Sequence, residues 1–283
     1  DRSWIKRHRN INTLSVISCL ATRMSSGVPV AEISRPTTGS SDSAVSRALR
    51  KIPAGSVKRV FDAVIAKTSS PTTAQNRVFA LDGSRVPVPG CLRRDGFKVH
   101  QHISRRGQGR PLGLLSCLVD VKTREIVDYR WGAKYDERAH ARELFRSLRR
   151  GDTVVMDRGY YSSDLVVLAH ELGLRTLFRM KKTGNKSVIQ WMRERVLRER
   201  TRNNVWRVAV GGVSTRLFSY KAGGTTFICL TTSELAVSEL KRMYRQRWAV
   251  ETSYRTLKST VGLRNLRTSS ASVFRHYVDT AIL

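Results

Sequence analysis

The sequence predicts a mixed α/β fold, a sheet flanked by helices, with a helical region ahead of it. Three observations predict it. From about residue 77, short β-rich runs ("RVFALD", "FKVHQHIS", "LGLLSCLVDV", "EIVDYRWG") replace helical spacing, and three early strands are expected in meander order. The stretch "DERAHARELFRSLRR" then reads as a helix, followed by strand "TVVMD", helix "SSDLVVLAHELG" and strand "RTLFRM", the alternation of a mixed sheet. A second β-rich stretch ("VWRVAVGGVSTRLFSY", "TTFICLTT") stands between this unit and a final helical region, and reads as an insertion.

In chain order, residues 1–70 form the helical N-terminal region, a candidate DNA-binding segment. Apolar positions recur at helical spacing in "LSVISCLATRM" and "SAVSRALRKI", with Ser41 or Asp42 as the cap of the second. "SRPTTGSSDS" and "AKTSSPTTAQN" read as loops, the latter as a domain boundary. The core is expected over 71–182, the insertion over 183–233 and the final helices over 234–283. The alternating charges of "RERVLRERTRN" read as a solvated helix end.

Lys and Arg number 52 against 22 Asp and Glu, a formal net charge of +30 carried mostly by arginine, whose planar fork suits phosphate oxygens. A polyanion is the partner this implies. It is not a membrane: the longest apolar runs, such as "TLSVISCLA", fall far short of the ~20 residues a span requires. The four cysteines form no C-x-x-C pair and read as buried, reduced thiols, which suits a cytoplasmic protein. The opening "DRSWIKRHRN" has no initiator methionine and "VDTAIL" stops inside a helix-like pattern, so a fragment with a truncated C-terminus is expected.

In "YRQRWAVETSYRTLK" a single acid sits among basic residues. On a helix at about 100° per residue, Arg247, Glu251 and Lys258 fall at roughly 300°, 340° and 320° from Tyr244, one polar stripe. Met243, Val250, Tyr254, Leu257 and Val261 form an apolar stripe beside it. Alone, this describes an exposed helix with an Arg247–Glu251 pair. Two further stretches, "RVFALDGS" and "DTVVMDRGY", run through apolar residues into an aspartate followed closely by glycine, placing Asp82 and Asp157 where buried strands emerge. Such aspartates also serve as ordinary turn formers. Together, two strand-end aspartates and a helix glutamate are the ligand set of a hard divalent cation such as Mg²⁺, and Arg247 and Lys258 are then available to substrate phosphates.

These residues resemble the DDE transposases of bacterial insertion sequences, in the group with a Y-R-E-K signature, which Tyr244, Arg247, Glu251 and Lys258 match at every spacing. "LTTSELAVSELKRMYRQRWAVETSYRTLKSTVGL" resembles the region around that signature, "MDRGYYSSDLVVLAHELGLRTLFRMKK" the family's second aspartate block and "LDGSRV" its first. The resemblance implies an RNase H-like core with a β-rich insertion before the last catalytic helix. It implies Asp82, Asp157 and Glu251 as catalytic, metal-holding acids, Mg²⁺ as cofactor with Mn²⁺ as substitute, and Tyr244, Arg247 and Lys258 as DNA contacts. The activity implied is cleavage and strand transfer of DNA at an element's terminal inverted repeats and at target DNA, by a homodimer assembled on DNA in the nucleoid. The alternative is an inactive relic that only binds DNA.

Further candidates are weaker. Trp248 lies near the polar stripe and could stack on an unpaired base, with packing as the favoured reading. Arg158 and Arg255 are candidate phosphate contacts. His100 and His102 share one side of an expected strand without a third zinc ligand, His140 reads as structural and Asp120 as a turn residue. Arg47, Arg50 and Lys51 project together from a helix that is either a recognition or a scaffold helix.

Overall fold

The computed structural model describes residues 11–68, 76–99, 109–186, 188–190, 205–263, 266 and 268–283. Its N-terminal part is helical: α1 (Thr13–Ser26), α2 (Val30–Thr38), α3 (Asp42–Lys51) and α4 (Ser56–Thr68). Asn12 caps α1 with a reciprocal pair, its Oδ1 accepting from Ser15 N at 2.8 Å while its own N–H donates to Ser15 Oγ. Of the two candidate caps of α3, Ser41 is the one used, accepting from Ala44 N. "SRPTTGSSDS", expected as a loop, is half helix, because α2 continues through Pro36 to Thr38. Pro36 forfeits one backbone hydrogen bond, and burial of Ile33, Ser34 and Thr38 offsets that loss.

The strands are β1 (Val78–Pro87), β2 (Leu112–Asp120), β3 (Ile126–Gly132), β4 (Thr153–Met156), β5 (Arg175–Arg179), β6 (Val205–Val210), β7 (Val213–Ala222) and β8 (Thr225–Thr231). They form one sheet in the order β3-β2-β1-β4-β5-β8-β7-β6. β1, β4 and β5 are parallel, and the rest of the ladder is antiparallel. The mixed α/β sheet and the early meander are as expected. "FKVHQHIS" differs: within the described residues it contributes only a single bridge, Lys98 to Leu112. His100, His102 and "RERVLRERTRN" lie outside the described residues. β6–β8 continue the same sheet, β8 pairing with β5. Their two hairpins turn on Gly211-Gly212 and Gly223-Gly224, all four at positive φ, as two-residue turns matching strand twist require.

α5 (Glu137–Phe145) and α6 (Ser163–Glu171) cover one face, packing on Phe79, Leu81, Val154, Met156 and Phe178. The other face carries α1–α4, α7 (Val237–Gln246), α8 (Trp248–Arg255) and α9 (Ala271–Ile282). Asp120 is the turn residue expected, its Oδ1 accepting from Lys122 N and Thr123 N. His140 is structural, its Nδ1 2.9 Å from Ser116 Oγ. Cys19, Cys117 and Cys229 are buried free thiols, whereas Cys91, expected to be buried, is exposed beside the Thr268 carbonyl.

Gly113 has a packing role that sequence reading does not reveal. A Cβ there would lie 2.2 Å from Trp131 Cη2, and that indole is held by Phe97 and Phe274 at centroid distances of 5.9 and 5.7 Å. Gly113→Ala is therefore expected to destabilise the fold by about 1–3 kcal/mol, checked by chemical denaturation.

His276 on α9 is fully buried, and its Nε2 is 3.1 Å from the Ile52 carbonyl, fixing the neutral tautomer with Nε2 as donor. Burial holds its pKa below the usual value, with Arg275 acting in the same direction. A depressed histidine pKa means the unfolded chain binds more protons below about 6.5. This contribution is intact above that pH and shrinks as pH falls towards the folded pKa. The stability difference between the protein and His276→Gln, measured by thermal melts, should narrow from pH 7.5 to pH 5.5, two values that bracket the histidine pKa of about 6.5.

Candidate active site

Leu81 of β1 pairs with Met156 of β4, and both side chains enter the core on the α5–α6 face. Side chains alternate along a strand, so the next residues, Asp82 and Asp157, turn to the α7–α8 face. β4 ends at Met156 while β1 continues to Pro87. Asp82 is thus not at a strand terminus, as the sequence suggested. It lies mid-strand, where the neighbouring strand stops and leaves a crevice.

The motif also departs from a single ideal helix. α7 ends at Gln246, Arg247 joins it to α8 with right-handed helical angles, and Thr256–Thr260 forms a π-helical turn. Val250, Tyr254 and Leu257 are buried as expected, seating α8 on β1 and β2. The Tyr254 hydroxyl is fixed among the Asp82 carbonyl, the Leu115 carbonyl and Cys117 N–H, tying α8 to the backbone of the first aspartate. The polar stripe faces inward: Tyr244 is 4% exposed and Arg247 8%.

Arg247 joins two of the acids. Its Nη1 donates to Asp82 Oδ2 at 2.9 Å and its Nη2 to Glu251 Oε1 at 2.9 Å, while its buried Nε has no hydrogen-bond partner among the described residues. Tyr244 Oη lies 3.4 Å from Asp157 Oδ1, and Arg179 Nη1 3.8 Å from the same oxygen. Lys258 donates to Ser84 Oγ, on the same side of β1 as Asp82. Burial pushes the Asp82 carboxyl above the usual range against the pull of Arg247, and the Asp157 and Glu251 charges push the same way. The three acids and the Y-R-E-K residues therefore meet at one crevice. Arg158 and Arg255 are exposed, Arg158 in a cleft with Arg179. Trp248 is 65% exposed, which overturns the packing reading.

Sequence reasoning missed two side chains here. Arg179 follows Phe178, which pairs with Met156, so the parallel register aligns it with Asp157; that register was the available signal. It opens a basic cleft shared with Arg158, Lys181 and Lys182. The second is Glu137, whose carboxylate reaches from α5 to lie against Gly83 and Gly159, close in the chain to the two aspartates.

Three carboxylates at one crevice are the donors a hard divalent cation takes. Among the described residues no group of three or more His, Cys, Asp or Glu stands ready to grip an ion, and the Arg247 guanidinium occupies the space between two of the acids. The donor chemistry fits once that guanidinium moves aside.

The eight-stranded mixed sheet flanked by helices is similar to transposase catalytic folds. The chain belongs to the transposase DDE domain family, whose model matches residues 73–282, a family that generally uses divalent metals. The fold is similar to that of piggyBac transposase in a cryo-EM structure of its synaptic complex with hairpin DNA, with a TM-score of 0.56 at 12% identity over 98% of this chain and 67% of that one. Mos1 transposase, in a paired-end complex with the left transposon end, matches at a TM-score of 0.24 and 12% identity over 69% of this chain and 73% of that one, too low a score to imply a shared arrangement. No curated protein sequence matches the chain. No helix among the described residues is long and apolar enough to cross a membrane.

Proposed function

We propose that this transposase is an enzyme that cuts DNA and transfers the cut strand, with Asp82, Asp157 and Glu251 as its catalytic acids and Y-R-E-K as its subgroup. The observation that carries the proposal is the Arg247 fork spanning Asp82 and Glu251 while Tyr244 reaches Asp157, which supports convergence of acids 75 and 94 residues apart in the chain (157 − 82; 251 − 157). The acids would hold Mg²⁺, or Mn²⁺ in its place, which when bound activates an attacking oxygen and stabilises the leaving one at phosphorus.

The chain's own residues supply the rest. The cleft of Arg158, Arg179, Lys181 and Lys182 beside Asp157 presents positive charge to a phosphate backbone. Exposed Trp248, three residues before Glu251, offers a ring on which an unpaired base stacks, and exposed Arg255 a further phosphate contact. Tyr244 orients Asp157, and Arg247 and Lys258 position the strand once displaced from their present partners. The DNA is the element's terminal inverted repeats and its target, engaged by a homodimer. Residues 1–70, with Arg47, Arg50 and Lys51 exposed on α3, add to DNA binding, while 71–182 and 234–283 form the catalytic core around the 183–233 insertion.

A second reading is a relic that binds DNA without cutting it, for which the net charge of +30 is sufficient. The test is incubation with DNA carrying the element's ends, in Mg²⁺ and in chelator. Nicking only in Mg²⁺ supports the enzyme; salt-sensitive binding without nicking supports the relic.

A further inference from the structure

Glu137 opens α5, with Asp136 as the cap, accepting from Ala139 N at 2.9 Å. Its carboxylate does not point to solvent from that helix end. A Cβ on Gly83 would lie 2.8 Å from Glu137 Oε1, and one on Gly159 would lie 2.9 Å from Oε2. The carboxylate therefore lies between the residue after Asp82 and the second residue after Asp157. Neither glycine has a positive φ, so neither is required by a left-handed turn. What each one leaves is room for this side chain.

No counter-ion stands within ion-pair distance of Glu137 among the described residues. Among the described residues no ion pair or hydrogen bond reaches its side chain. Arg85 and Arg138 attract it only from longer range, and they are engaged with Tyr135 Oη and the Gly159 carbonyl respectively. Beside it stands a second unsatisfied group. Tyr160 is 1% exposed, and its hydroxyl would be 3.1 Å from the same Gly83 Cβ. Among the described residues no group meets that hydroxyl in hydrogen-bonding geometry; Ser116, which bonds His140, is a polar neighbour. Burial, then the charges of Asp82 and Asp157, push the Glu137 carboxyl up. A favourable helix-dipole position would explain an acid in the first turn of α5, but not one folded in against Gly83 and Gly159.

We propose that Glu137 is a fourth carboxylate of the cation site, binding a divalent cation together with Asp82 and Asp157 from the α5 side of the sheet. The proposal rests on the catalytic reading above. A cation supplies the attraction that the described residues withhold from this carboxylate, and the two glycines leave room for it against the backbone that follows each aspartate.

The test is Mn²⁺ titration of the purified chain, free Mn²⁺ being counted by electron paramagnetic resonance, for the protein, Glu137→Gln, Glu137→Asp and Asp157→Asn. Glu137→Gln is expected to weaken Mn²⁺ binding by about 10-fold or more without lowering the metal-free melting temperature, since it removes a like charge. Affinity within about twofold of the parent, with Asp157→Asn impaired, overturns the role of Glu137 and leaves the catalytic reading intact. Unchanged binding in both variants overturns the catalytic reading itself. If Glu137→Gln lacks a native near-ultraviolet circular dichroism spectrum, Glu137→Asp decides: it keeps the charge but withdraws the carboxylate by one methylene. It must lose Mn²⁺ affinity to a similar degree, and parent-like affinity overturns the proposal.

Discussion

Asp157→Asn is expected to leave the protein folded and to slow DNA nicking by about a thousandfold or more, the equivalent of ~4 kcal/mol of transition-state stabilisation. The two halves of this expectation have separate physical grounds. In the metal-free protein Asp157 contributes little to folding: a third of its side chain is exposed, its ion pair with Arg179 is 3.8 Å long and its contact with Tyr244 Oη is 3.4 Å. Such a pair is worth at most about 1 kcal/mol, and asparagine keeps the volume and one acceptor. Its charge also pushes the Asp82 carboxyl up, so neutralising it relieves a repulsion. What asparagine removes is an anionic oxygen for a cation, and the cost falls on the reaction alone. Nicking assays on protein matched for melting temperature check both halves, and undiminished nicking by Asp157→Asn would reject the assignment of the acids.

The strands were legible because they are continuous apolar runs: β2 and β4 are buried from end to end or nearly so and could sit nowhere but inside a sheet. The three acids were legible for a related reason, since each marks the point where such a run, or the apolar stripe of α8, meets polar surroundings. Sequence reading failed where a feature depends on a neighbour distant in the chain. Asp82 of "LDGS" read as a strand-end residue, yet β1 passes straight through Asp82 and Gly83, and the missing side chain of Gly83 accommodates Glu137 from α5. Trp248 read as packing although its angle on an ideal helix put it near the polar stripe, and it is 65% exposed at the first position of α8. Pro36 read as a loop signal because local propensity says nothing of the burial that α2 gains against α1 and α3.

Arg247→Ala is expected to destabilise the metal-free protein by about 3 kcal/mol, the lower end of the range for breaking a buried ion pair. The guanidinium has a side-chain exposure of 9% and lies 2.9 Å from both Asp82 and Glu251, whose side chains are 22% and 38% exposed. Without it, two carboxylates face each other across a crevice with no cation between them, although water reaches Glu251 and screens part of that repulsion. The Asp82 carboxyl, already raised by burial, rises further in the variant. A raised carboxyl stabilises the protonated fold, so the deficit should be largest above the folded pKa of Asp82 and should shrink as pH falls through it. Millimolar Mg²⁺ should also recover stability in Arg247→Ala more than in the parent protein, because a cation between the acids takes the place of the missing guanidinium, and ligand binding to the folded state raises its stability by mass action. Melting temperatures in chelator and in Mg²⁺ separate this from the reading suggested by sequence, in which Arg247 is only a phosphate contact. A residue of that kind would be nearly neutral to stability, and its loss would leave the response to Mg²⁺ unchanged.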